Sequence, residues 1–253
     1  MRETVTLTVR DGLAVARIAR DHGNAINDAL VGDLIATAHE AGKDPAIRGM
    51  LLAAGGKLFS PGLDLQELIE LDRDGMERFL GRFNACMLTL FTFPKPLVAA
   101  IHGPAIAGGF LLTLTADWRL LRRGARVGLA EIRVGVPFPF GVAMILRDAV
   151  PRPRLEELAL LGRDYEDEEA LRAGLVQELL PEEDFEERCM ERLEELAARD
   201  AATFAVTKRY LRSATVERIR AYDPQFQREF LDVWFRSSTQ QRIAEVVEAL
   251  RRD

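Results

Sequence analysis

The sequence lacks the features of a disulfide-linked or membrane-spanning protein. Among 253 residues only Cys86 and Cys189 are cysteine, and no CxxC pair occurs, so we expect both thiols to stay reduced. Gly, Pro or a charge interrupts every apolar stretch well before the roughly 18 residues that a transmembrane helix needs. The first residues lack the apolar core of a signal peptide. These absences predict a cytoplasmic protein with no membrane partner.

An excess of positive charge is also missing. The chain has 34 Lys and Arg residues against 40 Asp and Glu residues, which gives a formal charge of -6. Surfaces that bind nucleic acids normally carry basic side chains for the phosphates, so this balance argues against a nucleic acid partner. Hydrophobic residues make up 48% of the chain and charged residues 29%, as is typical of a folded globular protein.

Common motifs for cofactors, metals and activated nucleophiles are absent. The chain has no GxGxxG with an acidic ribose partner, no GxxxxGK followed by Ser or Thr, no HExxH and no GxSxG. The three histidines, His22, His39 and His102, are far apart in sequence. We therefore expect no metal and no nucleotide cofactor.

Strands and helices alternate in the first half of the chain. Residues 4–10 and 13–18 have strand patterns on either side of an Asp-Gly turn, and Asn27 is suited to cap a helix that extends to about residue 42. Further strands are predicted at 49–54, 97–101, 118–121 and 127–129, and a long helix at about 74–92. After residue 151 amphipathic helices predominate. We predict an α/β core over residues 1–195 and a helical C-terminal region over 196–253.

Two glycine-containing loops each join a buried strand to a helix. They are F-S-P-G-L-D at 59–64 and G-P-A-I-A-G-G at 103–109. Glycine lets a backbone approach a ligand closely, and a helix N-terminus presents unpaired N–H groups. Two such groups pointing at one atom would form an oxyanion hole. Tight turns and close helix–strand packing would produce the same pattern, so both interpretations stay open.

Glu131 lies among apolar residues, before the Pro/Phe run at 137–140. A carboxylate in such a setting can have a raised pKa and act as a base. The alternative is a surface glutamate that pairs with Arg133. The Pro/Phe run fits either a substrate wall or core packing.

In these segments the sequence resembles the crotonase superfamily, also called the enoyl-CoA hydratase/isomerase family. Five motifs occur in the family's order and cover nearly the whole chain: N-A-I-N at 24–27, F-S-P-G-L-D-L at 59–65, P-L-V-A-A-I-H-G-P-A-I-A-G-G at 96–109, A-D-W-R at 116–119 and G-L-A-E-I-R-V-G at 128–135. The resemblance implies a spiral of ββα units with a helical C-terminal trimerisation region. It also implies an acyl-CoA substrate and no cofactor.

The resemblance assigns roles by position. The backbone N–H groups of Leu63 and Gly108 would form the oxyanion hole for a thioester enolate, and Glu131 would be the catalytic acid and base. Leu111 stands where family hydratases carry a second glutamate. A single carboxylate suits 3,2-enoyl-CoA isomerisation, which the family contains. Hydration, decarboxylation and hydrolysis remain alternatives within the family, and a non-catalytic acyl-CoA-binding scaffold is an alternative outside it.

The positions of residues in the sequence suggest a substrate pocket and contacts with the CoA phosphates, and the apolar pattern of the helices suggests an oligomer. Phe110, Leu111, Phe138 and Phe140 are the candidates for the substrate pocket, and Arg20, Lys57 and Lys208 for contacts with the CoA phosphates. Apolar helix faces predict a homotrimer or homohexamer, because a lone subunit would leave them uncovered. These faces contain Leu155, Leu158 and Leu161, and Phe226, Phe230 and Trp234.

Overall fold

The computed structural model describes residues 2–252 and shows a mixed α/β fold with a helical C-terminal region. The strands are β1 (Val5–Arg10), β2 (Leu13–Ile18), β3 (Gly49–Ala54), β4 (Leu97–Ile101), β5 (Ala105–Ile106), β6 (Trp118–Arg122), β7 (Arg126–Gly128), β8 (Asp164–Glu166) and β9 (Glu178–Leu180). The helical segments are α1 (Asp21–Asn24), α2 (Asp28–Lys43), α3 (Leu65–Leu68), α4 (Arg73–Phe91), α5 (Gly108–Thr113), α6 (Glu131–Val134), α7 (Phe140–Ala149), α8 (Arg152–Leu161), α9 (Asp167–Arg172), α10 (Phe185–Ala197), α11 (Ala201–Trp234) and α12 (Ser237–Leu250).

Six strands form the main sheet in the order β1-β2-β3-β4-β6-β9. The β1–β2 hairpin is antiparallel and turns at Asp11 and Gly12, whereas β2, β3, β4, β6 and β9 pair in parallel. Every residue of β3 and β4 is buried. This explains their uninterrupted apolar sequences, because both faces of a central parallel strand are covered.

The smaller sheet has the order β5-β7-β8, and it sets the position of the two loops singled out in the sequence. Strand β5 runs parallel to β7, with Ile106 opposite Gly128. The Ala107 amide also donates to the Gly128 carbonyl oxygen at 2.9 Å. Parallel strands that end together bring the start of α5 beside the start of α6. Gly108 and Glu131, twenty-three positions apart in sequence, become neighbours for this reason.

Helix α10 belongs to the core rather than to a separate region. Phe185, Cys189 and Leu193 form a buried cluster with residues of the main sheet, among them Leu51 and Val98. The boundary predicted between residues 195 and 196 therefore falls inside this helix, and the division stays a prediction. Residues 1 and 253, its outer limits, lie outside the described part of the chain.

Two helical features differ from the sequence expectation. Helix α7 was not predicted, and α11 is one continuous helix of 34 residues that contains Pro224. Contacts with other elements hold both in place. The Asp223 carboxylate on α11 accepts from the Gly141 amide at 2.9 Å and from the Asn84 side chain at 2.8 Å. Such contacts between distant segments leave no local pattern in the sequence.

The apolar faces expected to drive assembly are partly covered within one subunit. Leu158, Phe230 and Trp234 are at most 3% exposed, because they pack into the main core, and these three are not available to a partner. Leu161 stays 70% exposed beside Leu160. Among residues 2–252, no helix combines the length and the apolar character needed to cross a lipid bilayer.

Candidate active site

A cavity of about 480 Å³ lies between the two glycine-containing loops and the C-terminal helix. Its wall brings together Leu63, Gly108 and Glu131, the three residues to which the sequence assigned chemistry. The other lining residues are His22, Gly23, Ala25, Leu58, Pro61, Asp64, Leu65, Gln66, Ala107, Ala130, Val134, Val136, Val246 and Leu250. The wall is mostly apolar, which suits an aliphatic chain.

The Leu63 amide is left free by the pairing of its neighbours. Ile26 forms an isolated parallel bridge with Leu63, in which the Ile26 amide donates to the Gly62 carbonyl and the Asp64 amide donates to the Ile26 carbonyl. Neither bond uses the N–H group of Leu63. Within residues 2–252, that group donates no hydrogen bond to the protein.

The Gly108 amide donates no hydrogen bond to any described residue, because it opens a helix. Gly108 is the first residue of α5, and the first four N–H groups of a helix have no partner inside it. Ala107 precedes it with φ 51° and ψ -130°, a conformation that is strained for any residue except glycine. Strain of this kind persists where the surroundings enforce it, here through the bond from Ala107 to Gly128.

Close backbone contact holds the two amides together. A Cβ atom added to Gly108 would lie 3.5 Å from the Leu63 nitrogen, and one added to Gly62 would lie 3.0 Å from the Gly108 nitrogen. Gly62 also has φ 102°, which side-chain-bearing residues rarely adopt. Gly62 is therefore required for both conformation and space and Gly108 for space, and the two free N–H groups lie close together.

Glu131 is a buried carboxylate on the cavity wall. It is 9% exposed, and its Oε2 atom has no hydrogen-bond partner among the described residues. Burial raises the pKa of Glu131 to about 7, although backbone hydrogen bonds and Arg133 act in the opposite direction. Arg133 pairs with Asp164 instead, so the surface ion pair considered from the sequence does not form. A carboxyl group with this pKa can take up and return a proton near neutral pH.

The N-A-I-N segment supports the first loop. The Asn24 side-chain amide donates to the carbonyl oxygens of Gly55 at 2.8 Å and Leu58 at 2.9 Å. Asn27 caps α2 by accepting from the Leu30 amide. The motif therefore holds the loop that presents Leu63.

The four residues expected in the substrate pocket do not line this cavity. Phe110 and Leu111 are at most 2% exposed and pack into the main core. Phe140 stacks on Phe226 with ring centroids 4.6 Å apart, and Phe138 packs against the same core. Any contact of these side chains with a substrate stays a prediction.

The three candidates for contacts with the CoA phosphates lie in different parts of the structure. Lys208 is buried against Asp117 at 2.7 Å and does not reach the cavity, so its charge is already paired. Lys57 is exposed on the loop after β3. The Arg20 side chain is only 9% exposed and is bound to Asp64. Among residues 2–252, no group of three or more His, Cys, Asp or Glu side chains is placed to hold a metal ion.

Two parts of the cavity wall were missed by sequence reasoning. Val246 and Leu250 reach it from α12, near the end of the chain, and Asp64 brings a second carboxylate to it. The F-S-P-G-L-D-L motif contains Asp64, so its position was visible in the sequence. Nothing local to residues 246–250 indicated that the last helix folds back over the site.

Comparison with known proteins identifies the family. The family model described as "Enoyl-CoA hydratase/isomerase" matches residues 8–248. The probable enoyl-CoA hydratase EchA17 of Mycobacterium tuberculosis is 32% identical over 188 residues, which make up 72% of each protein.

Solved structures give the same fold. Human mitochondrial delta3-delta2-enoyl-CoA isomerase matches with a TM-score of 0.95 and 25% identity, over 99% of both chains. The probable enoyl-CoA hydratase EchA3 of Mycobacterium tuberculosis matches with a TM-score of 0.84 and 27% identity, over 90% of this chain and 96% of its own. The match to the human protein extends through α11 and α12, because it leaves out only about 1% of this chain.

Proposed function

The chain belongs to the enoyl-CoA hydratase/isomerase family of acyl-CoA enzymes, and we propose that it converts 3-enoyl-CoA into 2-enoyl-CoA thioesters. One observation carries the proposal: Glu131, with a pKa of about 7, shares a cavity with two free backbone N–H groups. This arrangement supplies the two requirements of an allylic proton shift, namely an acid–base group and a site for negative charge.

The oxyanion hole acts on the thioester carbonyl. The N–H groups of Leu63 and Gly108 donate to the carbonyl oxygen, and their bonds strengthen as that oxygen becomes negative in the enolate. Fixed donors in a mostly apolar cavity stabilise this charge without reorganisation. Loss of one such donor typically lowers kcat by about 10²–10³-fold.

Glu131 carries the proton from C2 to C4. Its carboxylate removes a proton from C2, and the C2–H electron pair enters the dienolate. The resulting carboxylic acid then protonates C4, so that the double bond moves from C3–C4 to C2–C3 and the carboxylate is regenerated. Nothing is consumed or released in the cycle.

Isomerisation is favoured over hydration because the site lacks a second free carboxylate at the position that the resemblance indicates. Hydration requires a water molecule that is held and deprotonated near C3, and two carboxylates do this readily. Leu111 is apolar and buried where the resemblance places the second glutamate, and Asp64 is already paired with Arg20. The likeness to the human isomerase along nearly the whole chain supports the same choice.

Glu131→Gln tests the proposal. Gln keeps the shape of the side chain but is not a base, so isomerisation of a 3-enoyl-CoA should fall by at least about 10²–10⁴-fold, the usual contribution of general acid–base catalysis. Binding of the thioester, measured as a ligand-induced rise in melting temperature, should persist. Glu166→Gln, at the exposed end of β8, is the matched control and should leave the rate unchanged.

The same assays separate the alternatives. A wild-type enzyme that hydrates 2-enoyl-CoA but does not isomerise 3-enoyl-CoA would show that the proposal is wrong and that hydration is the reaction. Binding of CoA thioesters with no turnover would identify a scaffold instead. An unchanged isomerisation rate in Glu131→Gln would place the base elsewhere.

A further inference from the structure

We propose, resting on the isomerase function above, that Arg20 is a positioning residue that neutralises Asp64 beside the oxyanion hole. Asp64 directly follows Leu63 in the chain, and both residues line the cavity. A negative charge at Asp64 would oppose the enolate that the Leu63 amide has to stabilise. The guanidinium of Arg20 offsets that charge and fixes the loop that carries both residues.

Arg20 joins three parts of the site with one side chain. Its Nη1 atom lies 2.8 Å from Asp64 Oδ2 and donates to the Ala25 carbonyl oxygen at 2.8 Å, and its Nη2 atom pairs with Glu67. The side chains of Arg20 and Asp64 are 9% and 6% exposed. The planar guanidinium suits this role, because it presents several donors in a fixed geometry.

Asp64 is a structural carboxylate as well as a charged one. It is the N-cap of α3, where its Oδ1 atom accepts from the Glu67 amide at 3.2 Å, and its own amide donates to Ile26. The cap positions the helix that follows the Leu63 amide. The sequence therefore needs a polar acceptor at residue 64, and a carboxylate there requires a cation nearby.

The electrostatic consequence of losing Arg20 is large. At an effective dielectric constant of about 20, two like charges roughly 6 Å apart repel by an energy equivalent to about a hundredfold in rate. Proton abstraction moves the negative charge from Glu131 to the enolate oxygen at the Leu63 amide, directly beside Asp64, so the repulsion increases along the reaction and acts mainly on kcat. The titratable side chains that face the cavity are His22, Asp64 and Glu131, and Arg133 acts on Glu131 from its own helix.

A charge-rescue experiment tests the proposal. Arg20→Met should lower kcat by about a hundredfold with little change in KM, and should move the ascending limb of the pH–rate profile to higher pH. Adding Asp64→Asn removes the uncompensated charge while keeping a good N-cap. The double variant should have a kcat at least about tenfold higher than that of Arg20→Met, and its pH–rate profile should return to that of the wild type. A purely structural role for Arg20 predicts no recovery, or a further loss, and that result would overturn the proposal.

Two further measurements keep the test decisive. Arg20→Lys keeps the charge, so its kcat should fall less than that of Arg20→Met. If Arg20→Met does not fold, the comparison is made with Arg20→Lys, alone and combined with Asp64→Asn. Arg82→Met removes a solvent-exposed pair with Asp28 and is the matched control, expected to have wild-type kcat.

A readout without turnover separates this inference from the proposed function. Acetoacetyl-CoA ionises to an enolate, and its enolate absorbance reports charge stabilisation in the hole. Arg20→Met should lower the bound enolate fraction, and Asp64→Asn should restore it. Failure of the isomerase proposal would appear in the wild-type activity assay, whereas an unaltered enolate fraction in Arg20→Met would overturn the role of Arg20.

Discussion

At the scale of single residues, Glu131 is the proposed acid and base of the site. Because burial raises its pKa to about 7, the carboxylate that must remove the C2 proton forms only as the pH rises through about 7. We expect kcat/KM for isomerisation to increase across this range and to level off above it. Measurement of kcat/KM from pH 5 to 9 checks this, and a rate already maximal near pH 5 would contradict the buried, protonated state.

The same residue should make stability depend on pH. Between about pH 4.5 and 7 the folded chain keeps Glu131 protonated while the unfolded chain ionises it, so this group's contribution to the free energy of unfolding falls as the pH rises. The glutamine side chain in Glu131→Gln does not ionise, so the free energy of unfolding of this variant does not fall with pH for this reason. Its stability relative to wild type should therefore increase by about 3 kcal/mol from pH 4.5 to pH 8. Urea unfolding at several pH values measures this difference, and a constant difference would argue against the raised pKa.

At the scale of elements, the site depends on how closely α5 approaches the loop that carries Leu63. A Cβ atom at Gly109 would lie 2.2 Å from the Ser60 carbonyl oxygen and 2.8 Å from the Ser60 carbonyl carbon. Backbone atoms cannot yield as a flexible side chain can. The requirement at Gly109 is thus for space between two elements rather than for a turn.

Gly109→Ala should force α5 away from this loop. We expect a loss of at least about 1–3 kcal/mol in the free energy of unfolding, as for other overpacked sites, and a lower kcat because the Gly108 amide moves. Gly81→Ala, in the interior of α4, is the matched control, since a Cβ atom added there would lie 4.0 Å from the nearest atom outside the helix backbone, in the Gln227 side chain. It should stabilise the protein by up to about 1 kcal/mol. Similar melting temperatures for the two variants would refute this account of Gly109.

At the scale of the whole molecule, a largely buried ion cluster holds α11 against the core. Asp117, which follows α5, accepts from Lys208 at 2.7 Å and from Arg212 at 2.8 Å, both on α11. It also accepts from the Leu97 amide at the start of β4. Burial lowers the pKa of Lys208 to about 8, although Asp117 acts in the opposite direction. Sheet, α5 and α11 meet at this one carboxylate.

Removal of that carboxylate should release α11. Asp117→Asn leaves the buried Lys208 and the partly buried Arg212 without their partner, and we expect a loss of about 3–5 kcal/mol in the free energy of unfolding. Asp28→Asn breaks the exposed pair with Arg82 and should cost less than about 1 kcal/mol. Chemical denaturation of both variants measures the contrast. Equal small losses would show that packing alone holds α11.

Assembly is also a property of the whole molecule. Exposed apolar side chains remain at Leu160, Leu161, Tyr210 and Leu211, where they are 64–78% exposed. We expect a homotrimer or homohexamer that buries part of this surface, with three or six times the mass of one chain in light scattering. Leu161→Glu should favour smaller species, and Val9→Glu on β1 serves as the exposed apolar control. A stable wild-type monomer at micromolar concentration would contradict the expectation.

The sequence by itself determined those features that depend on neighbours along the chain. The β1–β2 hairpin and the Asn27 cap follow local turn and capping rules, and the buried strands β3 and β4 follow from continuous apolar runs. Glycine before Leu63 and at residue 108 marked the two loops, because glycine permits both unusual backbone conformations and close backbone approach. The resemblance then assigned Glu131, whose apolar sequence context already suggested a raised pKa.

Only the tertiary structure decided what lies around those residues. It showed that Phe110 and Leu111 face the core, that α12 closes the cavity with Val246 and Leu250, and that α11 continues through Pro224. It also joined Arg20 to Asp64. Each of these depends on contacts between segments that are distant in sequence, and their energies arise from packing and charge pairing in three dimensions. Local patterns record burial and capping, but they do not record which distant side chain provides the contact.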